Sequence, residues 1–221
     1  MRFLPLIFLL LIAACTPMPL VDAPPRIITV HATSTTEEWL PLLYDCAAQT
    51  PGLLLSRTLD ITSADISLRL TAPNIPDAII YKIGEIELIV VGNAANPVIS
   101  LSKSQLVDIY EGKINNWSQV GGNDDDIQLW MYAQESDLQL AFSEILQRGR
   151  TLSSLAWQAL NEKMVRQAIS RDVSAMGLIS SSQESDEFYI LQSLGKYPVL
   201  IVGKTKPQGL LHSLVACLQE E

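Results

Sequence analysis

Histidine and cysteine are scarce in this chain, two and three in 221 residues. His31 and His212 stand far apart without a partner at motif spacing, and no CxxC, HExxH or His/Cys cluster occurs. A metal site therefore has no support in the sequence. A GxSxG elbow and a glycine-rich phosphate loop ending in lysine are missing too, which leaves acyl transfer and nucleotide chemistry without their usual sequence basis. The chain is read as a non-enzyme without a cofactor. Basic residues are outnumbered, 15 Lys and Arg against 24 Asp and Glu, for a formal net charge of −9. That balance argues against nucleic acid and anionic lipid as partners. The acidic run Asp124-Asp125-Asp126 lacks the spaced ligands and distant glutamate of a calcium loop and reads as a solvated turn.

The N-terminal apolar run, Phe3 to Ala14, is shorter than the roughly twenty residues a membrane-spanning helix needs. It follows Arg2 and closes in Leu11-Ile12-Ala13-Ala14-Cys15, the pattern of a lipoprotein export signal. This predicts removal of residues 1–14 and lipid attachment at Cys15, whose thiol and freed amine would together carry the more than one chain that stable anchoring requires. Prolines at 17, 19, 24 and 25 make residues 15–25 an extended tether. The roughly 200 residues that follow suffice for one large domain or two small lobes. Export would also put Cys46 and Cys217 where disulfides persist.

The most informative stretch is 86–122, IELIVVGNAANPVISLSKSQLVDIYEGKINNWSQVGG. Glu87 to Gly92, apolar from Leu88 onward and rich in β-branched residues, predicts a strand buried on both faces, stopped by Asn96-Pro97. Leu101, Leu106, Ile109 and Tyr110 then fall near helical spacing behind two candidate caps, Ser100 and Ser102, and Gly112 supplies a left-handed terminator. Earlier, Arg26 to Ala32 reads as a strand leading into the hydroxyl cluster Thr33-Ser34-Thr35-Thr36 and a helix whose apolar face uses Trp39, Leu42, Leu43 and Cys46. Ser34 with Glu37, or Thr35 with Glu38, would form a capping box. The same hydroxyls beside free N–H groups would also suit an oxyanion. Leu53 to Leu59 and Ser63 to Leu70 predict two further strands. Later come a strand over Ile127 to Tyr132, a helix opening at Ser136, another over Met164 to Ile169, a turn and strand over Asp172 to Ser182, a strand over Tyr197 to Val202 and a last helix over Gly209 to Leu218.

The 86–122 segment resembles the phosphate-binding type of periplasmic solute-binding protein, whose members commonly read NPVxxLxxxQLxDIFxGKIxxWSxVGG here. Met176-Gly177-Leu178 and Tyr197-Pro198-Val199 resemble later family elements. The resemblance implies an α/β, two-lobed type 2 periplasmic-binding fold, each lobe a mixed sheet flanked by helices, with two crossovers at a hinge. It places residues 26–91 and 180–221 in lobe 1 and 92–179 in lobe 2, with the crossovers at Leu88–Gly92 and Leu178–Ser182. Both chain ends would then share lobe 1, so Cys46 and Cys217 could form a bridge; two separate buried thiols remain the alternative.

The resemblance weakens at the ligand loops. The family carries Ser-Gly-Thr-Arg where this chain has Ser136-Asp137-Leu138-Gln139, so only the serine survives. It also carries a serine at the end of the third strand, where this chain has Leu70-Thr71, with Arg69 displaced. Expected ligand-facing donors are Ser34, Thr35, Thr36 and Ser136, with Arg69 and Thr71 as weaker candidates. Ser136 or Asp137 would in any case cap the following helix. The expected function is that of a monomeric, lipid-anchored extracytoplasmic binding protein that presents a small anionic or polar solute to an ABC permease. The alternative is a two-lobed scaffold or sensor that has lost solute binding.

Overall fold

The computed structural model describes residues 24–74, 76–147, 152–181, 187–204 and 209–220. The export signal, Cys15 and most of the tether lie outside the described residues. Among the described residues no helix is long and apolar enough to cross a membrane.

One eight-stranded mixed sheet runs through the molecule in the order β2-β1-β3-β8-β4-β7-β5-β6. Its first half joins β1 (Arg26–Ala32) in parallel to β2 (Leu53–Arg57) and β3 (Ile66–Arg69). Its second half joins β5 (Gln128–Tyr132) in parallel to β6 (Trp157–Ala159) and β7 (Ala175–Ser180). Between them lie two long antiparallel strands, β4 (Ile79–Asn93) and β8 (Phe188–Gly203), which belong to both halves. The repeated parallel trio on either side of a shared pair gives the fold its two lobes.

Helix α1 (Leu40–Ala48) and helix α5 (Leu210–Glu220) pack together on lobe 1. Cys46 and Cys217 are bridged there, with their Cα atoms 5.8 Å apart. Lobe 2 carries α2 (Lys103–Tyr110), the short α3 (Asp137–Phe142) and α4 (Glu162–Arg171). Leu43, Leu68 and Leu70 fill the lobe 1 core, while Trp117, Tyr110 and Phe142 fill that of lobe 2, with the Tyr110 and Phe142 rings 4.2 Å apart. Helix α2 starts at Ser102, which forms a capping box with Gln105, and Gly112 follows its end at φ +76°.

The outward crossing is β4, whose pairing with β8 shifts register between Leu88 and Ile89 and again between Val90 and Val91. The segment expected for the return crossing, Leu178–Ser182, covers the end of β7. Strand β7 reaches only the level of Leu88, where Ser180 pairs with it. Phe188 then pairs with Asn93, and the antiparallel pairing of β8 with β4 runs on to Gly203 opposite Ile79. Ser182 lies outside the described residues.

Neither form of the expected capping box, Ser34 with Glu37 or Thr35 with Glu38, caps this helix. The helix after the hydroxyl cluster starts as a 3-10 turn, Glu37–Trp39, whose cap Thr36 makes no side-chain cap hydrogen bond. The threonine hydroxyls are committed elsewhere, as the site geometry makes plain.

Candidate functional site

The hydroxyl cluster follows β1 at the edge of lobe 1. Thr36 is fully buried, and its Oγ1 donates to the Leu68 carbonyl on β3 at 2.9 Å. This fixes the loop against the neighbouring strand and leaves Thr33 Oγ1, 3.0 Å from Thr36 Oγ1, free to point across the lobe boundary. Strand β3 ends beside it, so the N–H groups of Leu70 and Thr71 point the same way, past the last ladder bond.

What fills this cradle is the Asp137 carboxylate, from the first residue of α3 in lobe 2. Its Oδ1 accepts from the Thr71 N–H at 2.9 Å and from Thr71 Oγ1 at 2.8 Å. Its Oδ2 accepts from Thr33 Oγ1 at 3.1 Å and, closely, from the Leu70 N–H. Arg69 Nε stands 3.9 Å from Oδ1, and the Asp137 side chain is 3% exposed. A buried carboxylate needs such partners, because an unpaired one would carry a heavy desolvation cost. Burial, then Arg69 and Arg57, lower the His31 imidazole pKa.

A second carboxylate reaches the same boundary. Glu162 opens α4 behind the cap Asn161, which accepts from the Met164 N–H at 3.1 Å. Its Oε2 accepts from Ser180 N–H and Oγ at 2.6 and 2.8 Å, and the Thr35 side chain of lobe 1 lies close enough to lower its pKa. Burial raises the Glu162 pKa, opposed by the bonds from Ser180 and Thr35 and by the charge of Arg166. A third clasp joins Tyr197 Oη on β8 to Glu144, just past α3. The Tyr197 pKa is raised by burial and then by Glu144.

Of the expected donors, Thr71, Arg69, Thr35 and Thr36 do gather at the lobe boundary. Thr71 bonds the carboxylate directly, Arg69 faces it, Thr35 serves Glu162 and Thr36 braces the loop. Ser34 is exposed and makes no contact there. Ser136 caps α3 by accepting from the Gln139 N–H at 3.4 Å. The contributions of Thr33, Glu162 and the Leu70 backbone were not foreseen. Thr33 belonged to a cluster already singled out, whereas nothing local to Glu162 marks it. Asp137 looked like a helix cap, and its partners lie more than 60 positions away in sequence.

The residues that define the 86–122 pattern do structural work. Asn93 Nδ2 donates to the Ile169 carbonyl, Asn96 Nδ2 to Val173 and Trp117 Nε1 to Ser174, which ties the crossover to α4 and to the turn after it. Asn116 Nδ2 donates to Asp124 and Asp126, so the acidic turn is held by a side-chain amide. Among the described residues no group of His, Cys, Asp and Glu is arranged to hold a metal.

Residues 75–208 match the model of the PBP superfamily domain. No curated protein matches in sequence. An ABC-type phosphate transport receptor from Vibrio cholerae shares the fold at TM-score 0.73 and 21% identity, over 89% of this chain and 94% of that one. A phosphate ABC transporter substrate-binding protein from Clostridium perfringens, with bound phosphate, aligns at TM-score 0.74 and 18% identity, over 87% and 93%. The CcmR regulatory domain of Synechocystis PCC6803, in complex with 2-PG, aligns at 0.62 and 14%, over 88% and 96%.

Proposed function

Because this chain belongs to the PBP superfamily, we propose that it is a lipid-anchored, extracytoplasmic solute-binding component of an ABC-type transporter. It would act as a monomer, hold a small anionic or polar solute between its lobes, and present the solute-bound form to a membrane permease. The observation that carries this reading is the convergence of four lobe 1 donors on one buried oxyanion group at the lobe boundary. The likeness to phosphate transport receptors supports the transporter assignment. The Cys46–Cys217 bridge supports export, since such bonds persist in oxidising compartments. The register shifts in β4 supply a place for the hinge.

Phosphate itself is a poor candidate. Asp137, Leu138 and Gln139 replace a glycine, a hydroxyl and an arginine of the family loop and add a negative charge. Hydrogen bonds to charged groups contribute roughly 1.5 to 3 kcal/mol each, so losing two weakens affinity by orders of magnitude. Thermal shift of the full chain in detergent against oxyanions, amino acids and sugars tests the proposal, because a ligand stabilises according to its occupancy. Stabilisation by one solute class supports it. Micromolar phosphate affinity by calorimetry would contradict the selectivity argued here.

The second reading, a two-lobed scaffold or sensor, is favoured by one observation: the seat already holds a protein carboxylate. A flat response across the whole panel selects it.

A further inference from the structure

We infer that Asp137 is a tethered ligand: its carboxylate closes the lobes on a latent oxyanion seat formed by Thr33, Leu70, Thr71 and Arg69, which a free oxyanion occupies only when Asp137 withdraws. This deepens the solute-binding reading and rests on it. Among the described residues, every hydrogen bond accepted by the carboxylate comes from lobe 1, although Asp137 itself belongs to lobe 2. A helix-capping or core aspartate would spend its oxygens on its own element. Here the capping is done by Ser136 instead.

The seat is also larger than its occupant. Arg69 Nε is buried and makes no hydrogen bond among the described residues, because the planar carboxylate stops 3.9 Å short of it. Gln139 Nε2, in the same turn as Asp137, is likewise buried without a partner among the described residues. An occupant with a third oxygen could take the Arg69 donor that the carboxylate leaves unused. A tethered group competes at an effective concentration of millimolar order, so free oxyanion at micromolar concentration loses to Asp137. The Tyr197–Glu144 hydrogen bond does not involve Asp137 and would still tie α3's end to β8 in its absence.

The test is chemical rescue. Asp137→Ala in the full chain, titrated with inorganic phosphate and separately with acetate, should gain a saturable rise in melting temperature of roughly 5 °C at a hundredfold excess over Kd. Wild type should show none at the same concentrations, and Thr71→Val in the Asp137→Ala background should abolish most of the gain. If Asp137→Ala does not fold, Asp137→Asn keeps the shape without the charge and should show a smaller rise. Wild type without solute should also scatter X-rays as the closed form. The inference is overturned if both Asp137 variants stay flat, if wild type responds as strongly as they do, or if solute-free wild type is open. Its failure differs from that of the solute-binding reading, which fails when wild type is flat with every solute whatever the variants do.

Discussion

Thr71 and Asp137 form the closest-knit pair at the lobe boundary, with the hydroxyl and the N–H of one residue meeting a single oxygen of the other. Thr71→Val removes only the hydroxyl and should cost about 1 kcal/mol. Asp137→Ala strands four buried donors at once and should cost about 3 kcal/mol. Urea unfolding of both and of the double variant measures the coupling. Because the hydroxyl has nothing to bond once the carboxylate is gone, the double variant should be less destabilised than the sum of the singles. Additive losses would mean that the two do not interact. Glu162 governs a different pH window. Its folded pKa is raised, so the native state holds the proton longer than the unfolded chain, and stability falls as pH rises from about 4.5 through the folded value. Glu162→Gln keeps one carbonyl to accept from Ser180 and removes the charge. The variant should gain on wild type across that window and hold a constant advantage above it. Asp65 acts oppositely and lower down. The Thr29 N–H depresses its pKa, so its contribution is present above 3.8 and is lost as pH falls through the folded value. Melting curves from pH 3 to 8 separate the two.

At the scale of elements, β4 carries a glycine where a neighbour leaves no room for anything else. A Cβ on Gly84 would stand 2.0 Å from Trp39 Cη2. Gly84→Ala should therefore cost about 2 kcal/mol through overpacking, and Trp39→Leu in that background should recover part of it; equal melting temperatures for Gly84→Ala and wild type would refute the contact. Elements with a local signal were legible in the sequence. Ser102, a candidate cap, and Gly112 bound α2, and residues 88–92 of the Glu87–Gly92 run are buried within β4. The full extent of β8 was not, because Phe188 to Lys196 mixes exposed and buried residues without a clean period and includes Gly195 at φ +89°. Its strand character comes from pairing with β4. The three residues of β6 are too few for any periodicity to show. The hydroxyl cluster was visible as a feature but its partners were not. Thr36 bonds Leu68, and Asp137 bonds Thr71, across separations that no local pattern encodes.

For the whole molecule, the chain leaves lobe 1 once along β4 and returns once along β8, so the lobe 1 segments before and after lobe 2 are joined by sheet pairing and by one covalent bond. Cys46 and Cys217 are 171 positions apart. Closing so long a loop limits the unfolded chain strongly, with a chain-entropy ceiling of about 5 kcal/mol, and native disulfides typically return 2 to 4 kcal/mol of stability. The bond joins α1 to α5 within lobe 1; α5 packs on β4, but neither cysteine belongs to the Asp137 seat. Reduction, or the Cys46→Ser and Cys217→Ser pair, should therefore lower the melting temperature by roughly 5 to 15 °C while leaving the solute response unchanged in affinity. A loss of solute affinity without a loss of stability would place the bridge in the closure mechanism instead. Affinity is unaffected because the rescue of Asp137→Ala depends on Thr33, Leu70 and Thr71, which lie just past the ends of β1 and β3, strands paired with each other and with β8 whether or not α5 is covalently held.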